Sequence, residues 1–391
     1  MDLVYFDHAA TTPIDNRVLE AMMPYLKSEY GNASSPHHKG HTAKVAIEEA
    51  RENIASLIHA EPSEIVFTSG GTECDNALIR GVFEVSGEKK KMITSPVEHH
   101  AVLHTVESLK RHGGKPVYLK PDTNGTVSAT QVEEVIDDST ALVTLMHINN
   151  EVGSINPIGE IAEVCHKYNV PFHSDTVQSI GKLPVNVKDS GIDFLSMSAH
   201  KIYGPKGVGA MYIKNGAPWI PWMTGGSQER RRRGGTSNVP GIVGFAKALE
   251  LSIAEMDDRR SHFVKLRNHL MKQLRHKFEG RFQINGPEKG GAPHIVNIGL
   301  IPPGNSRLDG EMLLLNLDIE GICVSNGSAC TSGAVDPSHV LTEIGIEDRI
   351  AASSMRLSFG KDNTVGQINL FLNKLDRVLN RMMGKTQKAE K

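Results

Sequence analysis

The stretch 141–174, ALVTLMHINNEVGSINPIGEIAEVCHKYNVPFHS, shows the pattern on which the fold of this 391-residue chain rests. It opens with a buried-strand pattern, ALVTLMHI (141–148), and closes with a second apolar run, VPFHS (170–174). Between them, PIGEIAEVCHKYN (157–169) has apolar residues at spacings of three and four, which predicts a helix that begins near Pro157. A strand, a helix and a strand in this order are typical of a mainly parallel sheet.

The same alternation continues on both sides of this unit. The segments EIVFT (64–68), IDFLSMS (192–198) and GVGAMYIK (207–214) are predicted strands, and helical patterns lie between the strands. After about residue 255 the character changes to a long charged amphipathic helix, DDRRSHFVKLRNHLMKQLRHKF (257–278). A shorter α+β region follows and ends in the apolar-faced helix VGQINLFLNKLDRVLNRMM (365–383). The sequence therefore predicts an α/β fold with a second, smaller region.

Length and composition limit the classes of protein that this chain could represent. A chain of 391 residues predicts two domains, and 39% hydrophobic with 23% charged residues is ordinary for a globular protein. The net charge of −2 gives no reason to expect nucleic acid or an anionic membrane as a partner. The chain has no signal-peptide pattern and no stretch near the roughly 20 apolar residues that span a bilayer. We therefore expect a cytoplasmic protein without direct nucleic-acid or membrane partners.

The four cysteines are scattered, and one of them lies in an unusual setting. With no CxxC pair, they predict neither a disulfide scaffold nor a zinc site. Cys330 lies in VSNGSACTSGAVDPSH (324–339), whose Gly, Ser and Thr residues predict a surface loop, so its thiol is either exposed by accident or a working nucleophile. By contrast, Cys165 on its apolar helix face is expected in the core and Cys323 in a strand, whereas the role of Cys74 stays ambiguous.

Three stretches combine a predicted strand end with residues that carry chemistry. FTSGGTECDN (67–76) runs from a strand through a Gly-rich turn into a helix, which is either an anion site or an ordinary turn. In HSDTVQS (173–179), Asp175 ends a strand and is either a site residue or a helix cap. In SMSAHKIYGPKG (196–207), Lys201 is either a surface charge or a lysine that forms a Schiff base.

Two further stretches suggest ligand contacts. In SPVEHHAVLH (95–104), His100 and His104 have a metal-pair spacing but no third ligand, so we predict no metal, and His99 is suited to stack on a flat ring. GGSQERRRRGGTSNVPG (225–241) is either a solvated loop or an anion or RNA contact, and its Thr236 suits a phosphate. A phosphate-binding helix start, an acid, a Schiff-base lysine and a stacking histidine together predict a pyridoxal phosphate site.

At this point the sequence resembles the cysteine desulfurases of the NifS/IscS type, within the class V aminotransferase-like enzymes of fold type I. The resemblance covers nearly the whole chain and implies a fold-type-I α/β architecture with a large pyridoxal-phosphate-binding domain (16–255) and a small α+β domain (1–15 and 256–391) that carries the Cys330 loop. The stretches that carry it, in chain order, are YFDHAATTP, GNASSPH, FTSGGTECDN, EHHAVL, HINNEVG, HSDTVQS, SAHKIYGPKG, QERRRRGGT, NGSACTSG and MRLSFG.

The resemblance implies a role for each matching residue around the cofactor. Lys201 would bind the cofactor covalently and move protons, and Asp175 would pair with the pyridine nitrogen. Gln178 would bond the ring hydroxyl, and His99 would stack on the ring and assist acid–base steps. The residues implied at the phosphate are Gly71, Thr72, Ser198 and His200, joined by Thr236 from the other subunit of a homodimer.

The resemblance also implies the substrate and the reaction. Asn150, which is also counted among the cofactor-binding residues, and Arg356 would hold the carboxylate of L-cysteine. Cys330 would attack the substrate sulfur, which gives alanine and a persulfide, and the persulfide would pass to an acceptor protein for iron–sulfur cluster assembly or tRNA thiolation. Cys330 could also ligate an iron–sulfur cluster transiently during this transfer, although no resident metal is expected.

Some departures and alternatives stay open at this point. Asn326 stands where Ser is common before the GSAC core, and Cys323 could form a disulfide with Cys330 and silence it. The main alternative activity is a selenocysteine lyase or a related lyase or aminotransferase that uses pyridoxal phosphate. A non-enzymatic RNA-binding scaffold that uses the arginine run is a further alternative.

Overall fold

The structure is a computed structural model that describes residues 3–302, 304, 308–326 and 337–389, without the side chains of 383–389. The strands are β1 Val4–Tyr5, β2 Ile65–Thr68, β3 Lys91–Thr94, β4 Lys115–Tyr118, β5 Thr140–Thr144, β6 Phe172–Asp175, β7 Phe194–Ser198, β8 Gly209–Ile213, β9 Phe282–Asn285, β10 Ile295–Leu300, β11 Ile322–Cys323 and β12 Ser354–Ser358. The α-helices are α1 Asn16–Lys27, α2 His38–Leu57, α3 Gly71–Val85, α4 His100–Ser108, α5 Ala129–Val135, α6 Ile158–Lys167, α7 Val187–Ser190, α8 Val239–Ala254, α9 Met256–Lys277, α10 Gly310–Ile319, α11 His339–Glu343, α12 Asp348–Ala351 and α13 Val365–Ala389.

A seven-stranded sheet in the order β2-β8-β7-β6-β5-β3-β4 forms the centre of the molecule. Only β8 runs against its neighbours, and the other strands of this sheet point the same way. The carboxyl ends of β2, β3, β5, β6 and β7 therefore meet at one edge, which is where open α/β sheets bind their ligands. The predicted α/β architecture with a mainly parallel sheet is confirmed.

Apolar side chains alternate between the two faces of this sheet. In β2, Ile65 and Phe67 join the larger apolar cluster, which includes helices α1, α2, α6 and α8, and Val66 joins the opposite cluster under α3 and α4. In β5, Val143 joins the larger cluster and Leu142 joins the opposite cluster. Both faces are covered, and this explains the nearly continuous apolar runs of the predicted strands.

The chain ends build a separate apolar cluster. Val4 and Phe6 pack there with helices α9 and α13 and with the antiparallel sheet of β12, β10 and β9. β1 pairs in parallel with β11, which ties the start of the chain to its last third. We propose on this basis that 16–255 form the large domain and that 1–15 with 256–391 form the small one.

The predicted elements agree with the structure within a few residues. The strand expected over 141–148 keeps a regular pairing only to Thr144. Beyond it, the backbone N–H groups of Leu145 and His147 still donate to carbonyls of β6, so the chain stays beside the sheet while it turns toward the site. Among the described residues, no helix has the length and apolar character needed to cross a bilayer.

Candidate active site

A cavity of about 440 Å³ lies at the carboxyl ends of the central strands. This volume is typical of a site for a small molecule or cofactor. The predicted site residues that line it are Gly71, Thr72, His99, Asn150, Asp175, Gln178, Ser198, His200, Lys201 and Arg356. The structure thus brings ten residues from distant parts of the sequence to one place.

One end of the cavity is suited to a phosphate. Helix α3 starts at Gly71, so its free backbone N–H groups point toward the cavity. A Cβ at Gly71 would lie 2.7 Å from Cγ2 of Val177, so glycine leaves room that another residue would fill. Within the described part of the chain, the buried Oγ of Ser198 has no hydrogen-bond partner, which fits a group that an anion completes.

Lys201 ends a short 3₁₀ turn (Ala199–Lys201) that follows β7. Its Nζ donates to the carbonyl oxygens of Ala9 (2.6 Å) and Ala10 (2.7 Å). Burial, and then the positive charge of Arg356, lower the pKa of Lys201 to about 8 against the opposing effect of Asp175. A lysine in this state offers far more neutral amine near pH 7 than a surface lysine does, as Schiff-base chemistry requires.

Asp175 combines the two roles that the sequence left open. It is the last residue of β6, and its Oδ1 accepts a hydrogen bond from the backbone N–H of Val177 at 2.9 Å, so it caps the turn that follows. It also lines the cavity. Burial raises the pKa of Asp175 to about 6, so the carboxyl group is mainly ionised at neutral pH and able to face a protonated ring nitrogen.

His99 is the N-cap of helix α4. Its Nδ1 accepts from the backbone N–H of Ala101 at 3.1 Å, so the ring proton of the neutral form is on Nε2. Burial, and then the charge of Lys201, lower the pKa of His99 to about 4. The ring is therefore neutral at pH 7 and carries a donor at a known atom.

Gln178 is held in one amide orientation by two neighbours. Its Nε2 donates to the carbonyl of Ala9 at 2.9 Å, and its Oε1 accepts from Nζ of Lys182 at 3.2 Å. Because the carbonyl of Ala9 can only accept, the amide nitrogen of Gln178 must face it, and the amide oxygen faces Lys182. The sequence did not identify Lys182 as part of the site.

His200 lies at the phosphate end and is neutral as well. Its Nδ1 is 3.1 Å from Oγ1 of Thr11, which comes from the start of the chain. Burial, and then the charge of Lys201, lower the pKa of His200 to about 4. It can therefore donate a hydrogen bond to an anion but adds no positive charge.

Two predicted residues stand apart from this group. Thr236 does not line the cavity of Lys201 and instead borders a separate cavity with Gly207 and Arg233. Cys330 lies outside the described residues, and so does most of the NGSACTSG stretch. The nearest described residues that flank it and line the main cavity are Ser325 and His339.

Two of the three described cysteines lie where the sequence predicted them, and the structure shows the surroundings of the third, Cys74. Cys165 is buried on α6, and Cys323 ends β11, as predicted. Cys74 is fully buried in α3, where its sulfur contacts Oγ1 of Thr68 at 3.0 Å. Burial raises the pKa of both Cys74 and Cys165, so neither is a reactive thiolate.

Several acidic residues of the cavity were missed in the sequence. Asp7, Asp75, Glu98 and Glu151 all line it. Burial raises the pKa of Asp75 and Glu98 well above the usual range, and the carboxyl oxygens of Glu98 accept from the backbone N–H of Met146. Nothing in their local pattern separates these residues from surface acids, except that all four lie inside the stretches that carried the resemblance.

The arginine run is not a free basic patch. Arg233 pairs with Glu73 at 2.8 Å and Arg230 with Glu48 at 3.3 Å. Arg232 reaches the carbonyl of Ile65 at 3.5 Å. These contacts support a structural loop over an RNA contact, with Arg232 and Arg233 partly buried and Arg230 and Arg231 exposed.

The histidine pair of α4 has the sequence spacing of a metal site. The rings of His100 and His104 are 5.0 Å apart, and His339 lies 4.6 Å from His100 on another side. Even so, the residues that the structure describes contain no group of three or more His, Cys, Asp or Glu side chains arranged to hold a metal ion.

The fold and this cavity define a pyridoxal-phosphate-dependent enzyme. The cradle at Gly71 and Ser198 fits the phosphate, Lys201 fits the aldehyde carbon, and Asp175 fits the ring nitrogen. The chain belongs to the class-V aminotransferase family, whose sequence profile "Aminotransferase class-V" matches residues 4–371. Enzymes of this family use pyridoxal phosphate, as the sequence predicted.

Comparisons with individual proteins point to one branch of that family. The chain is 44% identical to "Cysteine desulfurase IscS" of Dictyoglomus turgidum over 97% of this chain and 95% of that protein. It is 46% identical to "Putative cysteine desulfurase IscS 1" of Bacillus subtilis over 94% of this chain and 96% of that protein. The predicted resemblance to the cysteine desulfurases is confirmed.

Solved structures agree with the sequence relatives. A structure described as "NIFS-LIKE PROTEIN" superimposes with a TM-score of 0.89 at 38% identity and covers 97% of this chain and 100% of the other. A structure described as "SspA in complex with cysteine" gives a TM-score of 0.79 at 36% identity over 92% of this chain and 100% of the other.

Proposed function

We propose that this chain is a cysteine desulfurase that converts L-cysteine to L-alanine and leaves the sulfur as a persulfide on Cys330. The observation that carries the proposal is the position of the residues on either side of Cys330. Ser325 and His339 both line the cavity that holds Lys201. The segment that contains the thiol therefore leaves and rejoins the described chain at the rim of the cofactor site.

The described residues divide the chemistry among them. Bound pyridoxal phosphate supplies an electron sink. Lys201 binds the cofactor and then, as a neutral amine, takes and returns a proton at the substrate Cα. Asp175 keeps the ring nitrogen protonated, and the neutral His99 offers the proton on its Nε2 to the reacting groups.

Substrate recognition rests on Asn150 and Arg356, which line the same cavity as the phosphate cradle. Their remaining donors hold the substrate carboxylate in the cavity that Ser325 and His339 also line. The Cys330 thiolate attacks the substrate sulfur and the Cβ–S bond breaks with its electron pair on carbon. A proton then completes the methyl group of alanine.

The test is alanine formation from L-cysteine by the wild type and by Cys330→Ala, with and without a thiol reductant. We expect Cys330→Ala to keep the cofactor absorbance and to lose turnover by about a hundredfold or more, because burial raises the pKa of the three described cysteines and none of them offers a reactive thiolate instead. The wild type should release sulfide only when reductant is present. Full alanine formation by Cys330→Ala would contradict the proposal and favour the selenocysteine lyase or aminotransferase alternatives.

The same proposal extends to the partners. The persulfide passes its sulfur to an acceptor protein for iron–sulfur cluster assembly or tRNA thiolation, in a cytoplasmic setting. The enzyme works as a homodimer in which Thr236 reaches the phosphate of the other subunit. The position of Thr236 supports this, because it is exposed and lies outside the cavity of its own chain.

A further inference from the structure

Arg356 is held tightly before any substrate arrives. Its Nη2 donates to Oδ1 of Asp7 at 2.7 Å and to Oγ of Ser325 at 2.9 Å, and its Nη1 donates to the carbonyl of Asn150 at 2.8 Å. The side chain is only 4% exposed. Its Nε is buried and has no partner among the described residues, so the Nε–H and the second Nη1–H are the two donors left for a ligand.

Asp7 is the carboxylate at the centre of this arrangement. The same Oδ1 that accepts from Arg356 also accepts from Oγ of Ser325 at 3.0 Å. Asp7 forms a bridge beside Ser358, the last residue of the strand that carries Arg356, so its backbone is fixed relative to the guanidinium. The contact joins residues near opposite ends of the chain.

Opposite charges lie close together in this part of the cavity. Arg356 pairs with Asp7 at 2.7 Å. Burial raises the pKa of Glu151, another acid of the cavity, and the charge of Arg356 opposes that shift. An entering carboxylate therefore meets a cation that already has a counter-ion only a few ångströms away. That counter-ion repels the carboxylate and weakens the attraction of Arg356 for it.

We propose that Asp7 is a positioning residue and a permanent counter-ion of Arg356, which limits how tightly the site holds the carboxylate of the product alanine. It holds the guanidinium in place for L-cysteine, and its charge keeps the affinity low enough for release. A site that bound substrate, transition state and product more tightly by the same amount would not lower the barrier from bound substrate to transition state. Its turnover would therefore gain little. This inference rests on the proposed function for the identity of substrate and product.

The test is the dissociation constant of L-alanine, measured through the absorbance change of the cofactor in the holoenzyme. Asp7→Asn keeps an oxygen that accepts from Arg356 but removes the charge. We expect L-alanine to bind Asp7→Asn about tenfold more tightly than the wild type, with a lower KM for L-cysteine and a lower kcat because release slows. L-Alaninamide, which lacks the carboxylate, should bind both proteins equally.

Three variants complete the design. Asp7→Glu restores the charge and should return the L-alanine dissociation constant to within about threefold of the wild type. Asp362→Asn, on an exposed carboxylate outside the cavity, should change nothing. Asp7→Ser is a second neutral variant if Asp7→Asn does not yield folded holoenzyme.

The outcomes separate the inference from the proposed function. Weaker or unchanged binding of L-alanine by the neutral variants would overturn the counter-ion role and leave Asp7 as a structural support alone. Equal tightening for L-alaninamide would also overturn it, because the effect would not depend on the carboxylate. Alanine formation by the wild type tests the proposed function on its own, whatever the ratio of dissociation constants.

Discussion

Lys201 shows how one side chain acquires its chemistry from its surroundings. As a residue type it carries a charge at neutral pH, and burial in the cavity shifts the pKa of its amine to about 8. The charge of Arg356 adds to this shift. The carbonyls of Ala9 and Ala10 hold the amine in place at the same time. The reactivity of this amine therefore depends on where the fold places Lys201 and is not defined by the neighbouring sequence alone.

Cofactor uptake should depend on the protonation state of Lys201. The neutral amine is the form that reacts with the aldehyde, so the rate at which apoenzyme takes up pyridoxal phosphate should rise with pH and level off above about 8. Arg356→Gln removes a charge that lowers the pKa of Lys201. Its profile should therefore shift to higher pH, as stopped-flow absorbance would record.

A matched control comes from the same turn of the chain. Lys206→Gln removes an exposed cation that has no part in the shift of Lys201, so its profile should overlay that of the wild type. An unchanged midpoint in Arg356→Gln would show that burial alone sets the pKa of Lys201.

At the scale of elements, the segment after β8 is held by ion pairs in an unfavourable backbone conformation. Glu229, Arg230 and Arg231 all have positive φ angles, of 48°, 57° and 66°. Such angles are uncommon for residues other than glycine. The buried pair of Arg51 on α2 with Glu229, at 2.7 Å, compensates for this cost. Glu229 also accepts from the backbone N–H of Phe67 in β2.

We predict that this buried pair contributes strongly to stability. Its side chains are 3% and 5% exposed, so Arg51→Met leaves the carboxylate of Glu229 buried without its main partner. The free energy of unfolding should fall by about 3 kcal/mol in denaturant titrations. The arginine run should also become more accessible to proteolysis, because the tie to α2 is lost.

The exposed ion pair of Arg230 with Glu48 is the control for the buried pair of Arg51 with Glu229. Its side chains are 48% and 40% exposed, so Arg230→Ala should lower the free energy of unfolding by less than about 1 kcal/mol. Equal losses in the two variants would mean that the buried pair has no special role.

At the scale of the whole molecule, distant parts of the chain meet in one cavity. Asp7 comes from the N-terminal segment, Asp175 and Lys201 from the central sheet, and Arg356 from β12 in the last third. Thr236 is absent from this cavity. We propose that it reaches the phosphate of the other subunit in a homodimer.

A complementation experiment tests this shared site. Lys201→Ala and Thr236→Val homodimers should each be weakly active or inactive. Mixed dimers that form on refolding the two together contain one site with an intact Lys201 and an intact Thr236. We therefore expect such mixtures to regain up to about a quarter of wild-type activity, since half the dimers are mixed and each has one intact site. Activity no greater than the mean of the two variants would contradict the shared site.

Predictions from the sequence were correct where they depended on residues close together along the chain. The alternation of apolar runs and helical spacings gave the strands and helices around Asp175, and burial on both faces of the sheet explains why those runs are so apolar. Resemblance to a family gave the order of the motifs and ten of the residues that line the cavity, but it did not single out Asp7, Asp75, Glu98 or Glu151.

The sequence by itself determined the type and order of the elements, because periodicity depends only on neighbours along the chain. It also fixed the chemical groups available, including Lys201, Asp175 and Arg356. Three features follow from the folded structure alone: Asp7 faces Arg356, Ala9 and Lys182 orient Gln178, and burial lowers the pKa of His99. These features depend on contacts between residues far apart in sequence and on the exclusion of water, and neither leaves a pattern in the local sequence.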